Sequence, residues 1–267
     1  MTDVTAGAPA RWMEGAAPGT PAPSSAASPL EISVVVPVCN EAENVGPLAQ
    51  EIANALAGRA FEVLFVDDGS TDGTAAAVLA ARASIPQIRL LRHSFRSGQS
   101  AAVTTGVRYA RAEWIGTLDG DGQNDPADLP KLLAARLDPA NADVVLFQGH
   151  RTTRKDTGFR RFQSRVANGV RSRLLGDGTP DTGCGIKLMQ RAAYLELPKF
   201  DHMHRFLPAL FQRAGGRVIS VPVNHRPRAR GTSKYGMLDR LWVGIVDIGG
   251  VMWLRRRYKP GLAVREE

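Results

Sequence analysis

Between residues 31 and 150, short segments rich in β-branched residues alternate with segments of helical periodicity, and few folds accommodate that pattern. It predicts right-handed crossovers and a mainly parallel sheet with helices on both faces. The strand-like runs are 32–38, 61–66, 88–92, 114–118 and 143–149, with a last one at 217–223. The helix-like stretches are 74–84, 99–110 and 128–136, and one more marked by Val45, Leu48, Ile52 and Leu56. The regularity weakens after residue 150, but we find no repeat or linker that would mark a second domain.

Polar clusters follow three of the predicted strands. They are CNEAEN from Cys39, DDGSTDGT from Asp67 and DGDGQND from Asp119. In open parallel sheets, ligands bind outside the carboxyl ends of the strands. We therefore expect the three clusters to meet at one crevice.

The third cluster holds two carboxylates one residue apart, Asp119 and Asp121, on a glycine-rich turn. Both can face the same point only if a cation neutralises them. Mg²⁺ and Mn²⁺ take oxygen ligands and usually keep substrate phosphates in their coordination shell, and the amide oxygen of Gln123 is near enough to contribute. A lone DxD is more often a solvated loop, but its place after a buried strand predicts a clamp for a metal-diphosphate.

In the second cluster, Asp67 and Asp68 directly follow the predicted strand, at the position where the base or ribose of a nucleotide would bind. Carboxylates accept paired hydrogen bonds from the N–H and O–H groups of such ligands. The same cluster also supplies a helix cap, for which Asp72 and Ser70 are the candidates before the helix that begins near Thr74.

The chain is strongly basic, with a net charge of +8 and a pI of about 10.0. A net positive charge of this size favours an anionic partner. The alternatives are nucleic acid, a phosphate-bearing substrate and a membrane surface. Segment 151–173 carries eight arginine and lysine residues against the single Asp156. A nucleic-acid-binding module is disfavoured because the acidic strand ends would repel a phosphate backbone. A dinucleotide-binding oxidoreductase is excluded because no GxGxxG follows the first strand.

The amino-terminal residues 1–29 are dominated by Ala, Pro, Gly, Ser and Thr and are predicted to form a disordered tail. They lack the basic start and apolar core of a signal peptide, so we expect a cytoplasmic location. Cys39 and Cys184 lie far apart and outside any metal-ligand spacing, which argues against a disulfide or a zinc site. The main domain is expected to span residues 30–235.

Residues 236–267 are predicted to form an amphipathic helix and a basic tail. The apolar stretch from Leu241 to Leu254 is interrupted by Asp247. It spans about 21 Å, short of the ~30 Å hydrocarbon layer of a bilayer, so it should not cross the membrane. A helix lying in the interface of an anionic membrane fits better, and the alternative is a helix packed on the domain or at an oligomer seam. The residues that favour the interface are Trp242, Trp253, Arg255, Arg256 and Arg257.

Four motifs occur in the order VVVPVCNEAENV, FVDDGSTDGT, LDGDGQNDP and RGTSKYG. Over roughly residues 31–240 this ordered set resembles family 2 glycosyltransferases. It is most similar to the branch of dolichyl-phosphate mannosyltransferases and bacterial polyprenyl-phosphate sugar transferases. The resemblance implies a GT-A fold, which is Rossmann-like, and a Mg²⁺- or Mn²⁺-dependent reaction of a nucleotide-diphosphate-sugar donor.

The resemblance also implies roles for individual residues. It assigns the metal to Asp119, Asp121 and Gln123, with Gly120 in place of the usual Ala. Asp181 matches the aspartate beside the acceptor site, and Lys187 matches the nearby basic residue. Arg228 and Lys234 match a basic pair in the loop before the final helix, and Arg151 matches the arginine after strand 143–149. The nucleotide-sugar pocket is assigned to Pro37, Cys39, Glu41, Val66, Asp68, Gly120, Arg151 and Lys187, and Cys39 stands where the family often has Tyr.

The implied reaction moves one sugar from a UDP- or GDP-linked donor to a polyprenyl phosphate, with inversion, for cell-envelope glycan or lipid A modification. Arg228, Lys234 and the metal would stabilise the charge on the departing phosphate. A phosphate monoester has a second pKa of roughly 6 and needs no general base at neutral pH, so Asp181 is left to orient the acceptor. The alternative is a glycosyltransferase that attacks with a hydroxyl and does need a base, for which His202 and His204 are weaker candidates. The expected location is peripheral, on the inner face of the cytoplasmic membrane, and self-association is left open.

Overall fold

The computed structural model describes residues 29–152, 171–224, 226 and 237–258, with the backbone alone for 237–243. The predicted tail at 1–29 therefore lies outside the described residues apart from Pro29. The described strands form a seven-stranded sheet in the order β3-β2-β1-β4-β6-β5-β7. Their bounds are β1 Ile32–Val38, β2 Phe61–Asp67, β3 Ile88–Arg92, β4 Trp114–Thr117, β5 Val144–Arg151, β6 Lys187–Gln190 and β7 Arg217–Val223.

The sheet is mainly parallel, as the alternating pattern predicts. β1 pairs in parallel with β2 and β4, β2 with β3, and β5 with β7. The exception is β6, which pairs antiparallel with both β4 and β5. Because β6 runs against its neighbours, the loop that precedes it ends at the carboxyl end of β4, beside the acidic turn.

Helices cover both faces of the sheet. Successive strand residues point to opposite faces, so Val34 and Val36 belong to one buried cluster and Val35 to the other. The first cluster includes side chains of α1, α2 and α4, and the second includes those of α3, α5, α6 and α7. The helix bounds are α1 Ala42–Ala55, α2 Thr74–Ser84, α3 Gln99–Tyr109, α4 Leu129–Leu137, α5 Arg191–Leu195, α6 Leu207–Arg213 and α7 Met237–Arg256.

The predicted carboxyl-terminal helix is present as α7, and one of its faces packs on the domain. Val251 is fully buried in the second cluster. Asp247, which interrupts the apolar stretch, lies 3.2 Å from the Nδ1 atom of His202. The guanidinium of Arg213 donates a hydrogen bond of 2.9 Å to the carbonyl oxygen of Leu254. These contacts hold the described part of α7 against the body of the protein.

The other face of α7 is exposed and apolar. Ile245, Val246 and Trp253 have exposed fractions of 53%, 59% and 60%. The two sequence-based alternatives for this helix, packing on the domain and lying at an interface, therefore each fit one of its faces. Among the residues described, no helix combines the length and apolar character that a membrane span requires. The domain limits 30–235 and 236–267 stay predictions.

Candidate active site

A cavity of about 630 Å³ opens at the carboxyl ends of β1, β2 and β4. The cluster after β1 contributes Cys39 and Glu41, and the cluster after β2 contributes Asp68. Asp119 and Asp121 contribute from the turn after β4. The predicted convergence of three strand ends on one crevice is therefore observed. The cavity is also lined by four cationic side chains, Arg96, Arg171, Lys187 and Arg205.

The acidic turn is held by hydrogen bonds that orient its backbone and its carboxylates. Asn124 accepts from the backbone N–H of Asp119 at 2.8 Å, and Gln99 donates to Asp119 Oδ1 at 2.8 Å. Asp121 Oδ1 accepts from the backbone N–H of Gln123 at 3.1 Å. Burial raises the pKa of Asp119, and the charge of Asp121 raises it further, while Lys187 acts in the opposite direction. The turn thus holds one carboxylate whose charge calls for a nearby cation.

Two glycines let this turn pack closely against its surroundings. A Cβ atom at Gly120 would lie 2.8 Å from the carbonyl oxygen of Pro37 at the end of β1. A Cβ atom at Gly185 would collide with the carboxylate of Asp119 and would lie 2.5 Å from Asn124 Oδ1. Gly120, predicted to line the nucleotide pocket, therefore fixes the distance between two strand ends.

The oxygen donors of the turn fit a divalent cation that is shared with a substrate. Among the described residues there is no group of three or more His, Cys, Asp or Glu side chains that could hold a metal. Asp119 and Asp121 can supply two carboxylates, which matches the preference of Mg²⁺ for one or two carboxylates plus phosphate oxygens and water. Gln123, the third predicted ligand, does not line the cavity, and its backbone carbonyl oxygen accepts from the backbone N–H of Arg226 at 3.2 Å.

Asp68 is an anchor for the segment after β3. Its carboxylate accepts hydrogen bonds of 2.8 Å from the backbone N–H groups of Ser97 and Gly98 and lies 2.8 Å from His93 Nδ1. These contacts hold the segment that brings Arg96 and Gln99 to the cavity. Asp68 also lines the cavity itself. Its carboxylate has capacity to accept a hydrogen bond from a further donor there.

The remaining predicted nucleotide-side residues divide into two groups. Pro37, Cys39 and Glu41 line the cavity, whereas Val66 is fully buried in the second cluster and does not line it.

Neither cap candidate occupies the N-cap position of α2, which is Gly73. Asp72, one residue earlier, accepts from the backbone N–H of Thr74 at 2.9 Å, and Ser70 Oγ accepts from the backbone N–H of Asn40 at 2.9 Å.

Arg151 and Asp181 form a bidentate ion pair behind the cavity wall. The Nε and terminal nitrogen atoms of Arg151 donate to the two oxygens of Asp181 at 2.7 and 2.8 Å. Neither residue lines the cavity, but a Cβ atom at Gly183, which does, would lie 3.5 Å from the Arg151 guanidinium. The pair thus supports the loop that faces the acidic turn.

Lys187 is buried at the start of β6 and lines the cavity. Its ammonium group donates to the carbonyl oxygen of Cys184. Burial lowers the pKa of Lys187, while the charge of Asp119 acts in the opposite direction. Because Lys187 pairs with Thr117 at the end of β4, its side chain lies beside the acidic turn.

A neutral histidine, His204, lines the cavity together with apolar side chains. The backbone N–H of His204 donates to Ser100 Oγ at 3.2 Å, and Ser100 Oγ lies 2.7 Å from His204 Nδ1. Burial lowers the pKa of His204 to about 3, which makes it a poor general base at neutral pH. His202, the other weak base candidate, pairs with Asp247 and does not line the cavity. The apolar side chains that line the cavity include Val103, Phe206, Leu207 and Ile248.

Several cavity residues were not among the sequence-based candidates. Arg96 and Gln99 belong to HSFRSGQS, a fourth polar cluster after a strand, so the rule that identified the other three clusters would also have found them. Asp125, the third aspartate of the acidic turn, has a structural role, since it accepts from Arg226 at 2.7 Å and from the N–H of Ala127 at 3.0 Å. Arg228, Lys234 and residues 153–170 of the basic segment lie outside the described residues.

Comparison with known proteins identifies similar sequences over most of the chain. The family model described as Glycosyl transferase family 2 matches residues 33–197. Dodecaprenyl-phosphate galacturonate synthase of Rhizobium johnstonii is 35% identical over 242 residues, which cover 87% of this chain and 70% of the relative. Undecaprenyl-phosphate 4-deoxy-4-formamido-L-arabinose transferase of Edwardsiella ictaluri is 32% identical over 213 residues, 78% of this chain and 63% of the relative. The chain thus spans about two thirds of the length of these relatives.

Solved structures share the fold. Glucosyl-3-phosphoglycerate synthase from Mycobacterium tuberculosis in complex with Mg²⁺ and UDP superposes with a TM-score of 0.65 at 19% identity, covering 84% of this chain and 78% of that one. The complex of the same enzyme with Mn²⁺, UDP and glucosyl-3-phosphoglycerate gives a TM-score of 0.63 at 18% identity, covering 84% and 79%. At this level of identity the likeness concerns the fold alone.

Proposed function

Because the chain belongs to glycosyl transferase family 2, we propose that it transfers a single sugar from a UDP- or GDP-linked donor to a polyprenyl phosphate. The expected glycosyltransferase class and GT-A fold are confirmed. The two curated relatives described above are named for sugar transfer to dodecaprenyl or undecaprenyl phosphate, which supports this choice of acceptor. A lipid-linked sugar made in this way would serve cell-envelope glycan or lipid A modification.

The observation that carries the proposal is that one cavity joins the acidic turn to an apolar wall. The turn holds Asp119 and Asp121, and the wall holds Phe206 and Ile248. A nucleotide-diphosphate sugar suits the first end, because its diphosphate can share a divalent ion with two carboxylates. A polyprenyl chain suits the second end, because apolar surface there is removed from water when the chain binds.

On the donor side, the protein's own residues bind the nucleotide-diphosphate sugar and orient it. Mg²⁺ or Mn²⁺ held by Asp119 and Asp121 would neutralise charge on the diphosphate and on the departing phosphate. Gln99 holds the Asp119 carboxylate in place, and Asp68 fixes the segment that carries Arg96. In this proposal Pro37, Cys39 and Glu41 contact the nucleoside. Arg228 and Lys234 are proposed to add positive charge next to the leaving group.

On the acceptor side, the proposal requires positive charge and no general base. A phosphate monoester is largely dianionic at neutral pH and is already a nucleophile. Lys187 and Arg205 line the cavity and can hold that dianion in line with the anomeric carbon. Attack from the side opposite the leaving diphosphate inverts the anomeric centre. Asp181 acts indirectly, by holding Arg151 behind the loop that faces the turn.

The exposed apolar face of α7 is proposed to lie on the inner surface of the cytoplasmic membrane. Trp253 and Val246 are exposed on this face, and arginines follow at the carboxyl end of the helix, as in helices that lie in an anionic membrane interface. On the inner side of α7, Gly244 and Ile248 line the cavity. A lipid acceptor would thus reach the site along the helix that contacts the membrane.

The test is to incubate purified protein with polyprenyl phosphate and labelled UDP- and GDP-sugars, and to measure label in an acid-labile lipid extracted into organic solvent. We expect label from one nucleotide class, loss of it with a chelator, and loss in Asp121→Asn. Asp125→Asn is the matched control, because its amide oxygen still accepts from Ala127 and it lies outside the cavity lining. Label found only in a water-soluble glycan would contradict the proposal and favour a hydroxyl acceptor.

A further inference from the structure

A second depression, of about 290 Å³, lies between residues 173–176 and the last turns of α7. It shares no lining residue with the larger cavity. Its lining combines three guanidinium groups with apolar atoms, and it contains no carboxylate. The residues that define this groove are Arg173, Leu174, Gly176, Met252, Arg255 and Arg256.

The three arginines of the groove have no acidic partner in the described part of the chain. Arg255 and Arg256 lie in the last turn of α7, where cations interact favourably with the helix dipole. That effect does not account for Arg173, which comes from a separate segment and faces the same depression. Three like charges around one groove repel each other unless an anion lies between them.

The groove opens beside the exposed apolar face of α7. Trp253 is three residues before Arg256, so the two side chains lie on the same side of the helix. Leu174, on the opposite rim, has an exposed fraction of 48%. A cationic groove with exposed apolar side chains on both rims matches a lipid, whose phosphate is anionic and whose chains are apolar. A free phosphate would leave Trp253 and Leu174 in water.

We propose that this groove binds the phosphate of an anionic phospholipid, with Arg173, Arg255 and Arg256 as its ligands. The guanidinium groups donate to the phosphate oxygens in the planar, paired geometry that arginine provides. Trp253 and Leu174 contact the acyl region. The bound lipid is not a substrate, and it fixes how α7 lies on the membrane. The inference rests on the proposed function in one respect, the attachment of α7 to a membrane.

The test measures binding of the full chain to vesicles of phosphatidylcholine, with and without phosphatidylglycerol, by co-sedimentation. The variant is Arg255→Gln with Arg256→Gln. The matched control is Arg82→Gln with Arg111→Gln, which also removes two positive charges from exposed positions but leaves the groove and α7 intact. We expect the groove variant to bind phosphatidylglycerol vesicles about tenfold more weakly than the wild type, and the control less than about twofold more weakly.

Two further arms identify the ligand. Arg255→Lys with Arg256→Lys should recover only part of the binding, because lysine keeps the charge but not the paired donors. Millimolar glycerol phosphate should not displace the wild type from vesicles. Equal losses in the groove variant and the control would overturn the proposal in favour of a diffuse charge effect. Full displacement by glycerol phosphate would overturn it in favour of a soluble ligand.

A separate readout distinguishes this inference from the proposed reaction. Sugar transfer to a detergent-dispersed polyprenyl phosphate should be the same in the groove variant and the wild type, since neither substituted residue lines the cavity. If the wild type transfers no sugar but still binds anionic vesicles through these arginines, the proposed reaction fails and the groove assignment stands. If transfer occurs but the groove variant binds vesicles as tightly as the wild type, the proposed reaction stands and the groove assignment fails.

Discussion

The ion pair between Arg151 and Asp181 assigns Asp181 a role different from that of a catalytic base. Both of its oxygens accept from one guanidinium group. Both carboxylate oxygens are thereby engaged in the ion pair, and breaking a buried pair would leave the arginine charge uncompensated. We interpret Asp181 as a positioning residue that acts through Arg151.

Asp181→Asn is predicted to lower kcat for sugar transfer to the phosphate acceptor by about tenfold, with an unchanged pH profile. Loss of a general base would cost about 10²- to 10⁴-fold and would alter that profile. A double-mutant cycle with Arg151→Met provides the control, since residues that act as a unit are not additive. We expect the double variant to be no slower than Arg151→Met alone. A further loss in the double variant would indicate that Asp181 contacts the substrate directly.

His204 gives the protein a pH-dependent stability of known sign. Its pKa is about 3 in the folded protein, below the ordinary value of 6.5, because it is buried. Below the ordinary value the unfolded chain takes up a proton that the folded protein does not, so stability is lost as the pH falls from about 6.5 towards 3.

The wild type should therefore lose about 2 kcal/mol of unfolding free energy between pH 7 and pH 5 through His204 alone. His204→Gln should remove that part of the loss. Denaturant unfolding at the two pH values measures the loss in both proteins. Identical pH dependence in His204→Gln and the wild type would refute this account.

At the scale of elements, the sequence pattern predicts the parallel strands well and the antiparallel strand poorly. β1 has the predicted bounds, because a buried parallel strand forms a continuous run of β-branched and aliphatic residues. The edge strands β3 and β7 also have the predicted bounds. β6 was missed because KLMQ is short and contains no β-branched residue. Its pairing between β4 and β5 comes from tertiary structure that no local pattern encodes.

α7 offers two valines on opposite faces that separate packing from surface contact. Val251 is fully buried, whereas Val246 has an exposed fraction of 59%. Val251→Ala is predicted to destabilise the protein by about 1 to 2.5 kcal/mol, from lost burial and the cavity left behind. Val246→Ala is predicted to change stability by less than about 0.5 kcal/mol but to weaken vesicle binding. Thermal unfolding measures the stability of the two variants, and vesicle co-sedimentation measures their membrane binding. Equal destabilisation by the two substitutions would mean that α7 packs on the domain with a different face.

At the scale of the whole molecule, topology explains why the convergence of the polar clusters could be predicted from motifs. Clusters that follow parallel strands must meet at one edge of the sheet, so Cys39, Asp68 and Asp119 converge although they lie far apart in sequence. The rest of the cavity lining depends on contacts that no motif encodes. His204 reaches the cavity through Ser100, 104 residues away in sequence, and Ile248 reaches it only because α7 packs on the body.

The central claim is that Asp119 and Asp121 bind a divalent ion together with the diphosphate of the donor. The most direct test is a titration of the protein with Mn²⁺, in which free Mn²⁺ is measured by electron paramagnetic resonance with and without UDP. We predict one Mn²⁺ per chain, bound at least tenfold more tightly when UDP is present, because two carboxylates fill only part of the coordination shell. Asp121→Asn should abolish this binding, while Asp125→Asn should retain it. Mn²⁺ binding that is unaffected by UDP, or that persists unchanged in Asp121→Asn, would contradict the claim.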